Sequence, residues 1–248
     1  MPNKEIIMKS VKTLLFGVCL SAFALCGAEP ILSFPLNEGS FDAIKEANNK
    51  VKKITIWNKN QFSWVDGADG KALSFNTADG MKTYAGLCFD MPAGFDPTKG
   101  FTFTSFVKLP KDMHRSRQYQ LFFWSGSHSN GPGLRIYVSW KSLYVMLGDG
   151  GKKPTVLSSK NSQGALQADT WYRLAASYDG EQLKIYINGK LRGTAKDCMF
   201  KKSSRKWAAI GASGQSGSAY GFNGIISDVK IFDKALTDTE IAEMKPEM

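Results

Sequence analysis

Acidic side chains are the first candidates for chemistry in this sequence, because a pair of carboxylates can cleave a glycosidic bond. On a β-strand such a pair must be two or four residues apart to share one face. The strand pattern Glu-x-Asp-x-x-Glu is absent. Glu181 lies in a predicted turn, and Glu240 and Glu243 lie on a predicted helix. The sequence therefore predicts no hydrolytic pair, and a glycan-active enzyme with a non-standard site is the least favoured alternative.

Nucleophilic and zinc-assisted catalysis also lack a recognisable pattern. The only histidines, His114 and His128, both lie in predicted loops, where a lone histidine is ordinarily a polar surface group. No Gly-x-Ser-x-Gly elbow occurs, and no His/Cys cluster has the spacing of zinc ligands. We therefore predict no catalytic residues and no enzyme activity.

Aromatic and polar side chains come together in several predicted loops in a combination that suits sugars. A sugar has polar edges and apolar C–H faces, so its sites pair an aromatic ring with amide, hydroxyl and carboxylate groups. If these loops meet at one rim, the predicted glycan-binding residues are Trp124, His128, Asn130, Asp149 and Tyr220. The alternative is that strand tryptophans fill the core; the sequence leaves this open for Trp124 and favours it for Trp140.

Strands must position these loops, because apolar and polar residues alternate almost everywhere. Residues 101–109, 134–140 and 183–187 each carry one apolar face, which is typical of a strand packed on a core. Further short strands are predicted near 31–36, 51–57, 71–76, 85–91, 119–125, 143–148, 154–158, 171–178, 207–211 and 224–232. This number of short strands with turn signals between them predicts an all-β antiparallel sandwich.

Turn and capping residues support this architecture. Asn188-Gly189 and Asp179-Gly180 separate alternating segments and predict a three-stranded meander over 171–194. Thr237 and Glu240 form a capping box, which predicts one short helix near the C-terminus.

Three segments of the sequence resemble a known family. Leu166–Gly180 reads Leu-Gln-Ala-Asp-Thr-Trp-Tyr-Arg-Leu-Ala-Ala-Ser-Tyr-Asp-Gly, and Leu183–Lys190 reads Leu-Lys-Ile-Tyr-Ile-Asn-Gly-Lys. Phe222–Thr237 reads Phe-Asn-Gly-Ile-Ile-Ser-Asp-Val-Lys-Ile-Phe-Asp-Lys-Ala-Leu-Thr. Together they resemble LamG-like domains of the concanavalin A-like lectin/glucanase class, over nearly all of residues 31–245.

The resemblance implies a jelly roll whose concave face and rim loops hold sugars, sometimes with Ca²⁺. Trp171 would then anchor a strand in the core. Glu38 and Asp228 become candidate Ca²⁺ ligands, since some related domains link their first and last strands through a metal. The expected function is an exported carbohydrate-binding module without catalysis. A protein-interaction or envelope-structural sandwich is the first alternative.

The N-terminus has the layout of a secretory signal peptide. Lys9 and Lys12 precede an apolar run, Leu14–Leu25, and Ala28 suits the cleavage point. We predict a signal peptide over 1–28, one sandwich domain over 29–248, and a secreted or periplasmic location. A lipid anchor at Cys26 is disfavoured because Leu25, rather than a small residue, precedes it. No later apolar run reaches membrane length, so no membrane span is expected in the mature chain.

Charge and cysteine content suggest partners and a redox state. The formal net charge is +10, and loss of three lysines and one glutamate with the signal peptide leaves +8. A basic exported protein favours anionic partners such as acidic polysaccharide, although a solvated surface explains the charge equally well. Nucleic acid is not expected. Cys88 and Cys198 remain after cleavage and form a candidate disulfide, with two buried free thiols as the alternative.

Overall fold

Alternating segments of the chain form the strands of two antiparallel sheets. The computed structural model describes residues 28–67, 70–76, 85–113, 118–126, 131–151, 153–160, 165–213 and 221–244. In chain order the strands there are β1 (Leu32–Phe34), β2 (Ile54–Trp57), β3 (Phe62–Asp66), β4 (Lys71–Phe75), β5 (Gly86–Asp90), β6 (Phe101–Lys108), β7 (Tyr119–Ser125), β8 (Gly133–Ser139), β9 (Ser142–Gly148), β10 (Thr155–Ser158), β11 (Trp171–Tyr178), β12 (Leu183–Ile187), β13 (Lys190–Ala195), β14 (Trp207–Ile210) and β15 (Gly224–Phe232). A single α-helix in these residues, α1 (Asp238–Glu243), follows β15.

The strands are divided between two sheets of similar size. Sheet A has the order β13-β12-β11-β6-β15-β4-β3, with β1 paired to the second half of β15. Sheet B has the order β10-β9-β8-β7-β14-β5-β2. All the strand pairs are antiparallel, which confirms the predicted all-β sandwich with one short C-terminal helix.

The core lies between the inner faces of the two sheets. Phe103 of sheet A packs on Phe122 of sheet B, with ring centroids 5.6 Å apart. Phe101 and Val107 share the inner face of β6 with Phe103, and Leu109 is buried just beyond the strand, as the alternation predicts. Burial of large apolar side chains from both sheets is the main stabilising contribution to this fold.

The predicted turns and cap are confirmed, with one difference in detail. Asn188 and Gly189 both have positive φ (51° and 73°) and connect β12 to β13. Between β11 and β12 only Gly180 takes positive φ (102°), while the Asp179 carboxylate accepts hydrogen bonds from the backbone N–H groups of Glu181 and Gln182. Thr237 and Glu240 form the capping box of α1. No helix in these residues is long and apolar enough to span a bilayer.

Two features of sheet A differ from the prediction. Strand β3 was not predicted, although Phe62 and Trp64 alternate within it. Trp171 is not a core anchor: it lies half-buried on the outer face of the sheet, stacked on Phe106 at 4.8 Å. Leu174 belongs to the core, so the odd-numbered positions of β11 at Trp171 and Arg173 must face outward.

The candidate disulfide does not form, because Cys88 and Cys198 are both free thiols. Cys88 lies in β5, whereas the backbone N–H of Met199, the residue after Cys198, donates to Thr155 of β10. Strands β5 and β10 are separated by five inter-strand steps of sheet B, or roughly 24 Å along the sheet. A disulfide requires Cα atoms within about 7 Å of each other.

Candidate functional site

The outer face of sheet B carries aromatic and cationic side chains. Alternate residues of β8 enter the core, so Arg135 and Tyr137 project from the other side. Tyr137 stacks on Tyr144 of the adjacent strand, with centroids 5.2 Å apart and planes 5° from parallel. Arg135 is only 4% exposed; its Nη2 donates to Gln118 Oε1 at 2.9 Å, and its guanidinium lies 5.3 Å from the Tyr137 ring.

Arg205 crosses the same face from the loop that precedes β14. Its guanidinium lies 4.3 Å from the ring centroid of Trp207 and 5.7 Å from that of Phe123. Its Nε donates to the Ser125 carbonyl at 2.8 Å, and its Nη2 donates to the Gly126 carbonyl at 3.3 Å. Two carbonyls and two rings therefore hold the guanidinium in one orientation. We call Phe123, Tyr137, Tyr144 and Trp207 the aromatic face.

A cleft of about 390 Å³ lies beside Arg205, at the end of sheet B where β5 and β14 meet. We call it the Arg205 cleft. Its volume falls within the range of about 300–1,000 Å³ that is usual for small-molecule sites. The residues that line it are Asp90, Met91, Pro92, Ala93, Trp124, Lys202, Ser203, Ser204, Arg205 and Lys206.

The charges that line the Arg205 cleft are mainly positive. Lys202, Arg205 and Lys206 contribute three cations and Asp90 one carboxylate. Lys202 Nζ donates to the backbone carbonyl of Phe95 rather than to an acidic side chain. Partial burial lowers the pKa of Arg205 from its ordinary value, but an arginine guanidinium nevertheless stays charged at neutral pH.

Trp124, a predicted sugar platform, lies in the core. Its side chain is 2% exposed and stacks on Phe95 with centroids 5.8 Å apart. Its indole N–H donates to the backbone carbonyl of Arg205 at 2.7 Å and so is not available to a ligand. The core interpretation therefore holds for Trp124, which forms the floor of the Arg205 cleft and positions the backbone of Arg205.

Trp140 lies on the surface, although the sequence favoured a core position for it. It is 56% exposed. Trp140 and Lys141 both have positive φ (48° and 58°) and form the two-residue turn between β8 and β9. The alternation of β8 ends at Ser139, so Trp140 projects from the turn instead of continuing the inner face.

The other predicted sugar ligands are not brought together by the described residues. His128, Asn130 and Tyr220 lie outside them. Asp149 does not line the Arg205 cleft, and its Oδ1 accepts a hydrogen bond from the backbone N–H of Gly151 at 2.7 Å. That contact is the local turn bond expected of an aspartate before glycine.

The two candidate calcium ligands have different surroundings. Asp228 Oδ1 lies 2.9 Å from Lys230 Nζ, and its backbone N–H donates to the Pro35 carbonyl. Burial raises the pKa of the Glu38 carboxyl, and nearby backbone N–H groups at residues 37, 38 and 45 offset part of this shift. Within the described residues no three His, Cys, Asp or Glu side chains are grouped as a metal site, so calcium binding stays an untested prediction.

Sequence reasoning missed Arg205 as a site residue. The signal available was the basic group around 201–206, which contains Lys201, Lys202, Arg205 and Lys206. It indicated charge, but not the contact between Arg205 and strand β7, about 80 residues earlier in the chain.

Comparison with known proteins identifies the fold. A family model described as "Concanavalin A-like lectin/glucanases superfamily" matches residues 79–242. No match was found among curated proteins. The chain is similar in structure to the binding domain of Paraclostridial Mosquitocidal Protein 1, with 14% identity, a TM-score of 0.66, and coverage of 86% of this chain and 51% of that one.

Botulinum neurotoxin domains are also similar in structure. The serotype D ligand-binding domain in complex with N-acetylneuraminic acid has 15% identity and a TM-score of 0.61, covering 86% of this chain and 49% of that one. The neurotoxin DC binding domain in complex with rat synaptotagmin II has 14% identity and a TM-score of 0.63, covering 86% and 50%. At these identities the likeness shows the fold alone, and this chain spans about half the length of each of those structures.

Proposed function

Because the chain belongs to the concanavalin A-like lectin/glucanase superfamily, we propose that it is an exported carbohydrate-binding module without catalytic activity. Its glycan site is the Arg205 cleft, with the half-buried ring of Trp207 beside the Arg205 guanidinium. The observation that carries this proposal is the planar guanidinium of Arg205, backed by Trp207 and Phe123, beside a cleft lined by hydroxyl and ammonium groups.

This arrangement suits the chemistry of a sugar. The ring-backed guanidinium presents a flat surface against which a sugar ring can lie, while its remaining N–H groups donate to hydroxyl oxygens. Ser203, Ser204 and Lys202 supply further polar groups around the cleft. The structural neighbours include one complex with N-acetylneuraminic acid, which supports a glycan as the partner.

The acidic residues of the site support binding over catalysis. Hydrolysis of a glycosidic bond uses two carboxyl groups roughly 5–10 Å apart. Among the described residues that line the Arg205 cleft, Asp90 is the one carboxylate. Export rests on the signal-peptide pattern of the first 28 residues, of which 1–27 lie outside the described part of the chain.

A protein partner is the second candidate function, and one neighbour is a complex with synaptotagmin II. A protein-binding sandwich would present a contiguous apolar patch of several hundred Å². The exposed large apolar side chains among the described residues are Trp140, Val156, Leu191 and Met199. Val156, paired with Met146, faces outward from sheet B, whereas Leu191, paired with Tyr186, faces outward from sheet A. These side chains are thus divided between two faces, and the described surface favours the glycan.

The test is a polysaccharide array probed with and without Ca²⁺, using the wild-type protein and two tryptophan variants. We expect Trp207→Ala to weaken binding about tenfold, because Arg205 loses the ring that supports it. Trp171→Ala is the matched control: it removes a half-buried, ring-stacked tryptophan from the outer face of sheet A, on the other side of the sandwich. If the wild-type protein binds no polysaccharide on the array, with or without calcium, the proposal is overturned.

A further inference from the structure

The uncompensated positive charge of the Arg205 cleft identifies a ligand class. Resting on the proposed function, we infer that this cleft selects acidic sugars, those that carry a carboxylate or sulfate group, over neutral ones. The charges of the cleft and the preorganisation of Arg205 support this inference independently of each other.

Charge balance distinguishes the Arg205 cleft from two other clefts lined by described residues. One of those holds Lys50 with Glu29 and Asp233, and the other holds Lys108 and Lys111 with Asp112 and Asp169. Elsewhere seven lysines lie within 4 Å of a carboxylate: Lys59, Lys71, Lys108, Lys111, Lys184, Lys230 and Lys234. None of the ion pairs in the described residues involves Lys202, Arg205 or Lys206. The nearby Asp96 is hydrogen-bonded mainly to Thr98. The cleft therefore keeps a positive potential that an anion would neutralise.

Arg205 is preorganised to bind an anion. Its Nε and Nη2 each donate to a loop carbonyl, its plane is supported by two aromatic rings, and its own carbonyl accepts from the Trp124 indole. Nη1 makes no hydrogen bond within the described residues, which leaves two N–H groups for a ligand. A guanidinium already held in place loses little conformational entropy on binding. Its planar donors match the oxygens of a carboxylate or a sulfate.

The other lysines extend this recognition to the edge of the cleft. Lys202 and Lys206 are exposed, and the backbone N–H of Arg205 donates to Ser203 Oγ at 3.1 Å, which closes the loop into a tight turn between the two lysines. An acidic residue of a polysaccharide chain that contacts Arg205 therefore has ammonium groups on either side. Charged hydrogen bonds of this kind are about twice as strong as neutral ones.

Calorimetry with matched polysaccharides tests the inference on the intact protein. Polygalacturonate is compared with its methyl ester, and dextran sulfate with dextran, so that each pair differs in charge and keeps its backbone. We expect the acidic members to bind at least tenfold more tightly, with an affinity that falls as salt is raised. Binding of polygalacturonate alone assigns a carboxylate, and binding of dextran sulfate alone assigns a sulfate.

Two double variants separate a specific site from general charge attraction. Lys202→Gln with Lys206→Gln removes two exposed cations from the cleft and should weaken binding about tenfold. Lys160→Gln with Lys190→Gln removes the same charge from exposed positions outside the cleft and should leave affinity unchanged. Both double variants keep Arg205 and its packing, and thermal unfolding checks that each is folded.

Equal losses in the two double variants would show non-specific attraction and overturn the inference. Equal affinity for the acidic and neutral members of each pair would overturn it too, while leaving the carbohydrate-binding proposal intact. Failure to bind every polysaccharide, acidic or neutral, would remove the proposed function itself and the inference with it.

Discussion

Two clefts of similar volume lie on opposite sides of the sandwich, and they differ in how their charges are balanced. The cleft on sheet A, of about 360 Å³, contains Lys108 and Lys111, and both ammonium groups lie within 4 Å of the Asp169 carboxylate. Asp112 supplies a second acid there. The Arg205 cleft on sheet B has a similar size, three cations and a single carboxylate among its described residues.

The outer faces around the two clefts differ in the same way. On sheet A, α1 packs over β11, β12 and β15, with Ile241 and Leu236 buried against Tyr186 and Phe232. Asp238 of the helix accepts hydrogen bonds from Lys184 and from the Tyr186 hydroxyl. On sheet B, Arg205 covers two rings and makes no ion pair with a carboxylate in the part of the chain that the structure describes. Sheet A therefore uses its outer face for stability, whereas sheet B keeps cations at its outer face that the proposed function assigns to a ligand.

The largest expected effect tests the structural role of sheet A. Ile241→Ala removes a side chain that is 1% exposed, and we expect the free energy of unfolding to fall by about 2–3 kcal/mol. The reason is the cavity left between the helix and sheet A. Urea denaturation measures the loss, and glycan affinity measured on the folded protein should not change.

Leu191→Ala is the matched control for that experiment. Leu191 is an exposed apolar residue of β13, so its truncation should change stability by less than about 0.5 kcal/mol. A drop in glycan affinity caused by Ile241→Ala would contradict the division of labour between the sheets, because it would place part of the binding surface on sheet A.

The fold was predictable because local signals agreed along most of the chain. Alternation located thirteen of the fifteen strands in the described residues, the Asn188-Gly189 hairpin added β13, and Thr237 with Glu240 located the capping box. Strand β3 was missed although it alternates, since it follows closely after β2. Strand order within each sheet depends on contacts far apart in sequence, which no local pattern records.

The site was less predictable because side-chain direction depends on irregular backbone. In β7 the register shifts between Gln120 and Phe122, so the apolar run Leu121–Trp124 does not alternate, and the shift sets which face Trp124 occupies. The positive φ angles of the β8–β9 turn direct Trp140 away from the inner face, on which the alternation of β8 would have placed it. The contacts of Arg205 join a loop to strands from other parts of the chain, and sequence alone cannot reveal them.

A smaller effect is expected from the charge balance of the sheet A cleft. The hydrogen bond from Lys108 lowers the pKa of Asp169 below its ordinary value of 3.8. Its ionised form therefore stabilises the fold above that pH, and this contribution is lost as the pH falls through the native pKa. Asp169→Asn should be less stable than wild type at neutral pH, and the two unfolding curves should converge below pH 3.8.

Asp112→Asn provides the control for this acid titration, because Asp112 lines the same cleft without an ion pair in the described residues. It should follow the wild-type pH dependence throughout. A persistent gap between Asp169→Asn and wild type in acid would show that the amide perturbs packing rather than charge. Affinity at the Arg205 cleft should be unaffected by either substitution, since both positions are on the other sheet.

The smallest effect is expected from reduction, because the two thiols lie at opposite sides of sheet B. Burial raises the pKa of Cys88 to about 11, with a smaller contribution from Asp90, so its thiol is protonated at neutral pH. Reductant should leave the melting temperature unchanged. Alkylation after unfolding without reductant should label both Cys88 and Cys198, read out by peptide mass spectrometry.

A disulfide closing this long loop would contribute about 4–5 kcal/mol, so even partial bridging would lower the melting temperature measurably on reduction. Such a drop would contradict the strand order that separates β5 from β10, and with it the position of the Arg205 cleft at the β5–β14 end of the sheet.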